Sequence, residues 1–182
     1  TLEFLLPGQR HDTATIQAAL DRALNEFRSS GMEAMRQRVE RDVRATLEYL
    51  EAHHLLPMGG QMFVEQPIIM PIGEDFLLGV PDVLLLTPKG CEIWDWKTNR
   101  RDQRTATEWL EYYRTQLDTY LVLAAAAFAD CAEFTIRLVM TRPPIEVAQR
   151  TLGRADIEPI RRRISALIER IKQTSVGVGK TP

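Results

Sequence analysis

A helical pattern from about Ala106 to Phe128 separates two runs that read as strands, Cys91–Thr98 (CEIWDWKT) and Glu133–Thr141 (EFTIRLVMT). A long helix interleaved with strands points to an α/β domain built on a mixed sheet. In the second run Phe134, Ile136, Leu138 and Met140 alternate with Thr135, Arg137 and Val139, the period of a half-buried strand. Upstream, Met62–Met70 (MFVEQPIIM) reads as a strand in which Pro67 marks an edge or a bulge. Phe76–Leu86 (FLLGVPDVLLL) reads as another, interrupted by Gly79 and Pro81, and Thr87–Gly90 (TPKG) as a turn. These three strands in sequence predict an antiparallel meander.

Before residue 61 the texture is helical. Asp12 or Thr13 can cap a helix that runs to about Ser29, with Ile16, Ala19, Leu20, Ala23, Leu24 and Phe27 at helical spacing. Gly31 breaks it, and a second helix is expected from about Met32 to His53 on the stripe Met35, Val39, Val43, Leu47 and Leu50. Ile157–Lys172 reads as a final amphipathic helix and Ser175–Pro182 as a frayed tail. The 182 residues are therefore read as one domain: a helical part over 1–60, a core over 61–141, and a C-terminal helix and tail over 142–182. The chain opens without methionine, and it is expected to be a piece of a longer protein.

Composition narrows the class. With 45% hydrophobic and 26% charged residues the chain matches ordinary globular proteins. Its net charge of −2 means that any contact with nucleic acid must come from a local patch. The longest apolar run, Tyr120–Ala129, is too short for a membrane span, which needs about 20 residues. Two cysteines, Cys91 and Cys131, suit a reducing cytoplasm and cannot make a four-cysteine zinc or iron–sulfur site within this chain.

The chemistry concentrates between Asp82 and Tyr120. Residues two apart on a strand share a face, so Asp95 and Lys97 project together. If the strands on either side of the Thr87–Gly90 turn pair, Asp82 comes alongside them. Two carboxylates are hard oxygen ligands suited to Mg²⁺, and a lysine ammonium beside them can orient a water or offset charge on a phosphorane. Metal-assisted hydrolysis of a phosphodiester is the reaction that fits. The competing reading is a solvated Asp-x-Lys face with a minor ion pair. Ile93, Trp94 and Trp96 imply a well-buried strand instead, where unpartnered charge is costly.

These residues resemble the PD-(D/E)xK nuclease superfamily, and more narrowly the RecB-type nuclease domain of the RecB and AddA helicase–nucleases. Gly79-x-x-Asp82 is similar to that family's G-x-x-D strand, and Asp95-Trp96-Lys97-Thr98-Asn99-Arg100 to its D-x-K-T-N-R-like block. Gln116-x-x-x-Tyr120 is similar to its Q-x-x-x-Y helix, and Glu65-x-Pro67 to an acidic strand before the first motif. The resemblance covers about residues 62–141. It implies a restriction-endonuclease-like core, a central mixed β-sheet flanked by helices. It also implies a DNA exonuclease that uses Mg²⁺ or Mn²⁺, leaves a 5′-phosphate and works with a helicase, in cis or as a partner subunit. Asp82, Asp95 and the backbone carbonyl of Trp96 would hold the metal, with Glu65 a further candidate. Lys97 would be the catalytic lysine, and Gln116 and Tyr120 would contact DNA or steady the active-site loop. Tyr113, on the same helix face, is read as structural.

The chain departs from the family in one respect. The upstream G-x-x-x-H histidine has no match: Gly8-x-x-His11 is one residue short, and His53 and His54 fall at a helix end. Three alternatives stand: the element lies outside this chain, Glu40 or Glu48 substitutes, or the site binds metal weakly. Arg100, Arg101 and Arg104 follow the site with Asp102 opposing them and are candidates for DNA phosphates. Arg161, Arg162, Arg163, Arg170 and Lys172 give the last helix a basic face, read first as solvated. Gly177–Thr181 (GVGKT) resembles a phosphate loop, but Thr174 stands where its first glycine belongs. The rival function is a nuclease-like module that holds DNA without cutting it, and a phage- or CRISPR-associated exonuclease is a third reading.

Overall fold

The computed structural model describes residues 13–26, 33–56, 59–98 and 104–177. A five-stranded sheet forms its centre, in the order β1 (Gln61–Val64), β4 (Val83–Thr87), β5 (Gly90–Lys97), β6 (Glu133–Met140) and β7 (Glu146–Gly153). β5 and β6 run parallel and the other neighbours antiparallel, so the sheet is mixed. The parallel pair needs a crossover, and the helical segment between the two strands supplies it.

Two helices cover one face, α1 (Thr13–Glu26) and α2 (Glu33–Ala52). Val43, Leu47 and Leu50 of α2, with Ile16 and Ala19 of α1, bury against Val83, Trp94, Trp96 and Val139. Thr46 is buried in the same layer, where its hydroxyl donates to the carbonyls of Asp42 (2.8 Å) and Thr141 (3.4 Å). On the other face, α4 (Arg114–Ala127) lays Leu117, Leu121 and Ala124 on Leu84, Ile93, Ile136 and Leu138. Burying each such aliphatic side chain stabilises the fold by about 1.5–3 kcal/mol before chain entropy is counted. The final helix, α5 (Ile157–Gly177), joins this layer through Ile157 and Ile160. The strand alternation thus sends Cys91, Ile93, Asp95 and Lys97 toward α4, and Trp94 and Trp96 toward α2.

The meander expected from sequence is corrected. Residues 62–70 and 76–86 are each two strands in two different sheets. β2 (Ile68–Ile72) and β3 (Asp75–Gly79) form a separate hairpin inserted between β1 and β4. The chain leaves the main sheet at Glu65–Pro67, with Glu65 at φ 46°, and returns through Val80-Pro81-Asp82. The interrupting prolines are therefore crossings between sheets. Asp82 lies just before β4, not within a strand.

Two further differences follow from tertiary packing. The expected single helix over 106–128 is α3 (Ala106–Tyr112) and α4, parted at Tyr113 with no Gly or Pro to break it. α3 begins on a capping box, in which the Thr105 hydroxyl accepts from the Glu108 N–H and the Glu108 carboxylate from the Thr105 N–H. β7 was read as no element, and it carries the sheet past residue 141. It buries only Ala148, so it shows little apolar alternation, and the exposed edge of β6 recruits it. Among the described residues no helix is long and apolar enough to cross a membrane.

Candidate active site

The site forms where β5 outruns β4. Pairing of β4 with β5 ends at Val83 and Trp94, while β5 continues beside β6 through Lys97 and Met140. Successive strand residues send their backbone groups to opposite edges. The Lys97 carbonyl accepts from the Thr141 N–H (3.0 Å), so Lys97 faces β6. Trp96 then faces the open edge, and its N–H donates to Asp82 Oδ2 at 2.6 Å. The Asp82 side chain thereby occupies the hydrogen-bonding place that a β4 residue would have filled. The Trp96 carbonyl points to the same edge.

Asp95 and Lys97 project from the sheet toward α4. Lys97 Nζ lies 2.6 Å from Asp95 Oδ2, as an ion pair without a well-directed hydrogen bond. Gln116, on the first turn of α4, bridges the pair. Its Oε1 accepts from Lys97 Nζ (2.9 Å), and its Nε2 donates to Asp95 Oδ1 (3.1 Å) and to Tyr120 Oη (2.9 Å). The i, i+4 spacing of Gln116 and Tyr120 puts both on the face that meets the sheet. The Tyr120 hydroxyl donates in turn to the Val80 carbonyl (3.1 Å), two residues before Asp82.

Burial governs the electrostatics. Asp95 is 2% exposed, and its carboxyl is pushed up from its ordinary value by desolvation, opposed by the close ammonium of Lys97. Tyr120 is also pushed up, first by burial and further by the charges of Asp95 and Asp82, against the hydrogen bond from Gln116. Two negative charges therefore reach the Tyr120 hydroxyl, which remains a neutral donor.

Tyr113, expected as a structural residue, packs beside the site: Lys97 Nζ sits 4.4 Å from the centre of its ring, which stacks on Trp109. The break between α3 and α4 falls on this residue. Gly79 contributes in a way its motif position alone does not explain. A Cβ there would meet Leu123 Cδ1 at 2.6 Å and the Tyr120 ring at 3.1 Å, so the bare backbone lets α4 approach the loop leading to Asp82.

Other candidates lie apart or outside. Glu65 is exposed, and its backbone N–H donates to the Asp82 carbonyl (3.0 Å). Glu40 is tied to Arg44 and Glu48 is exposed on α2. His53 stacks on Tyr49. Among the described residues no three His, Cys, Asp or Glu side chains group closely enough to hold a metal, so none of these completes a triad with Asp82 and Asp95. Arg104 lies over the rings of Trp109 and Tyr112. Arg100, Arg101 and His11 lie outside the described residues, as does most of the 177–181 loop-like motif.

The donor set nevertheless suits a hard divalent cation. Mg²⁺ uses one or two carboxylates and keeps several waters. Asp82, Asp95 and the edge-facing Trp96 carbonyl supply two carboxylates and a neutral oxygen at one strand end.

The family model of the PD-(D/E)XK nuclease superfamily matches residues 4–181. A crystal structure from Eubacterium rectale described as "Putative exonuclease" superposes with a TM-score of 0.54 at 11% identity, over 96% of this chain and 71% of that one. The structure of SSO0001 aligns over 92% of this chain and 86% of its own with a TM-score of 0.37 and 13% identity, a similarity too low to carry an argument. No curated protein matches the chain.

Proposed function

The chain belongs to the PD-(D/E)XK nuclease superfamily, with its restriction-endonuclease-like fold, and from that membership we propose that it hydrolyses phosphodiester bonds in DNA. One observation carries the reading. Gln116 holds Asp95 with one end of its amide and Lys97 with the other, beside the strand edge where Asp82 is seated. A decorative Asp-x-Lys face would not need a half-buried amide to set the distance between the charges.

Asp82, Asp95 and the Trp96 carbonyl would hold Mg²⁺ or Mn²⁺, which when bound supplies polarisation of the phosphate and a more acidic water. The remaining work belongs to the chain. Lys97 presents an ammonium fixed on three sides, by Asp95, Gln116 and the Tyr113 ring. There it orients the attacking water and stabilises charge that builds on the phosphoryl oxygens. Tyr120 ties the Val80 carbonyl to the same amide, so the Asp82 loop and the Lys97 strand keep one geometry. Preorganisation of this kind avoids reorienting dipoles during the reaction.

The proposal extends to exonucleolytic action on DNA ends as the nuclease part of a RecB- or AddA-like helicase–nuclease. The four motif elements between Glu65 and Tyr120 support that assignment, and the E. rectale protein carries the exonuclease description. A second reading has its own observation: the absence, among the described residues, of a third acidic or histidine side chain near Asp82 and Asp95. It favours a nuclease-like module that holds DNA without cutting.

Cleavage of end-labelled single- and double-stranded DNA with Mg²⁺, Mn²⁺ or EDTA separates the two. Metal-dependent cutting that is lost in Lys97→Ala supports the nuclease, and its product ladder reports polarity. DNA binding with neither cutting nor Mn²⁺ binding supports the holding module.

A further inference from the structure

Beside the pocket that opens on Gln116 and Tyr120 lies a second, basic pocket that the reading above does not use. It has a volume of about 280 Å³ and is lined by Arg114, Thr115, Asp118, Arg163, Leu167 and Arg170 among others. The first of the two, about 670 Å³, is lined by Tyr113, Thr115, Gln116 and Tyr120 among others, and reaches the candidate site through Gln116 and Tyr120. The two flank the N-terminal end of α4, and Thr115 is the ridge between them.

The basic pocket is built around a buried anion. The Asp118 side chain is 1% exposed and sits among three guanidiniums from three elements. Arg150 of β7 reaches Oδ1 at 2.8 Å, Arg163 of α5 pairs with Oδ2, and Arg114 of α4 places Nε 3.7 Å from Oδ2. Arg114 also bonds Glu111 at 2.8 Å. Arg170, one α5 heptad beyond Arg163, is exposed and makes no ion pair among the described residues.

One or two cations would neutralise Asp118. Arg114, Arg163 and Arg170 against Asp118 leave the pocket lining with a surplus of two positive charges, in a chain whose net charge is −2. The side chains of Arg114, Arg150 and Arg163 remain 36–43% exposed, so each guanidinium is anchored along one edge and open along the other. A guanidinium fork held this way matches phosphate oxygens and loses little rotamer freedom on binding them.

We propose that Arg114, Arg163 and Arg170 bind the phosphodiester backbone of a nucleic-acid strand where it crosses α4 beside the pocket that opens on Gln116 and Tyr120. Asp118 is the positioning residue that holds two of these arginines. The proposal rests on the nucleic-acid reading of the neighbouring site, and it makes Arg163 and Arg170, two of the five basic residues of α5, part of the substrate track.

The test is binding without turnover. A fluorescein-labelled oligothymidylate is titrated with the whole chain in EDTA across a salt series, read by anisotropy. Each phosphate contact on a single strand contributes about 0.7 to the slope of log K against log salt. Arg170→Gln removes no ion pair, and it should weaken binding and flatten the slope by about 0.7. The double variant Arg163→Gln/Arg170→Gln should flatten it by about 1.4. Thermal melting of each variant separates lost contacts from lost fold. Arg162→Gln, which makes the same charge change on α5 but breaks an exposed pair with Glu158 outside the pocket, should keep the wild-type slope. A wild-type slope in Arg170→Gln and in the double variant overturns the proposal, as does a wild-type chain that does not bind. The nuclease reading fails separately: a chain that binds through these arginines and never cuts loses the first reading and keeps this one.

Discussion

The backbone N–H of Trp96 donates to Asp82 Oδ2 across 2.6 Å, two residues past Trp94, the last β5 residue paired with β4. This bond docks the loop bearing one carboxylate onto the strand bearing the other. A shorter β5 or a longer β4 would close the edge and leave no site.

Replacing Lys97 tests the centre of the arrangement. Lys97→Ala should lower DNA cleavage by about 10²–10⁴-fold, the usual contribution of a positioned proton-handling or charge-stabilising group. Its circular dichroism should stay that of the wild type, because β5 keeps its pairing with β6. Lys97→Arg should fail as well, since a planar guanidinium cannot present a compact ammonium between Gln116 and the Tyr113 ring. Cleavage near the wild-type rate in either variant removes Lys97 from the catalytic role.

Tyr120→Phe separates positioning from chemistry. It deletes the hydroxyl that joins Gln116 to the Val80 carbonyl and leaves the ring packed. Stability should fall by about 0.5–1.5 kcal/mol, the net worth of a hydrogen bond. Activity should fall while the pH profile keeps its shape. A profile with a displaced limb would instead make the phenol a participant.

Gly79→Ala probes the close approach of α4. The added methyl meets buried Leu123 and the Tyr120 ring, so overpacking should cost about 1–3 kcal/mol in urea denaturation. It should also reduce cleavage through the Asp82 loop. An alanine variant as stable and as active as the wild type would show that the helix has room to move.

Cys91 gives a pH dependence away from the site. Burial, with smaller contributions from Cys131 and Glu92, pushes its thiol up to about 12 from an ordinary 9.0. The folded state thus keeps a proton that the unfolded chain releases. Folding stability should hold below pH 9.0 and decline as pH rises toward about 12. Cys91→Ala should lose that decline, measured by denaturation at a series of pH values. At pH 8 a thiol reagent should modify the partly exposed Cys131 well before Cys91.

Much of this arrangement is written in local pattern. The apolar stripe Val43, Leu47, Leu50 marks α2, and the alternation from Phe134 to Met140 marks β6, because each period reflects the one face that is buried. The pairing of Asp95 with Lys97 follows from strand alternation alone. Gln116 and Tyr120 share a face for the equivalent reason in a helix. Pro67 and Pro81 announce interruptions, but a proline says only that regular structure stops. It does not say that the chain is leaving one sheet for another. β7 was illegible because an edge strand burying only Ala148 needs no apolar alternation, and its ladder is made by backbone groups that every residue carries.

Residue order alone sets which positions carry charge and hydrogen-bonding groups, and which local periods align them in pairs. Packing between elements selects which pairs meet. The seating of Asp82 on Trp96, the span of Gln116 between Asp95 and Lys97, and the gathering of Arg150 and Arg163 on Asp118 each join residues of different elements. Their energies belong to contacts between elements, which no local period encodes.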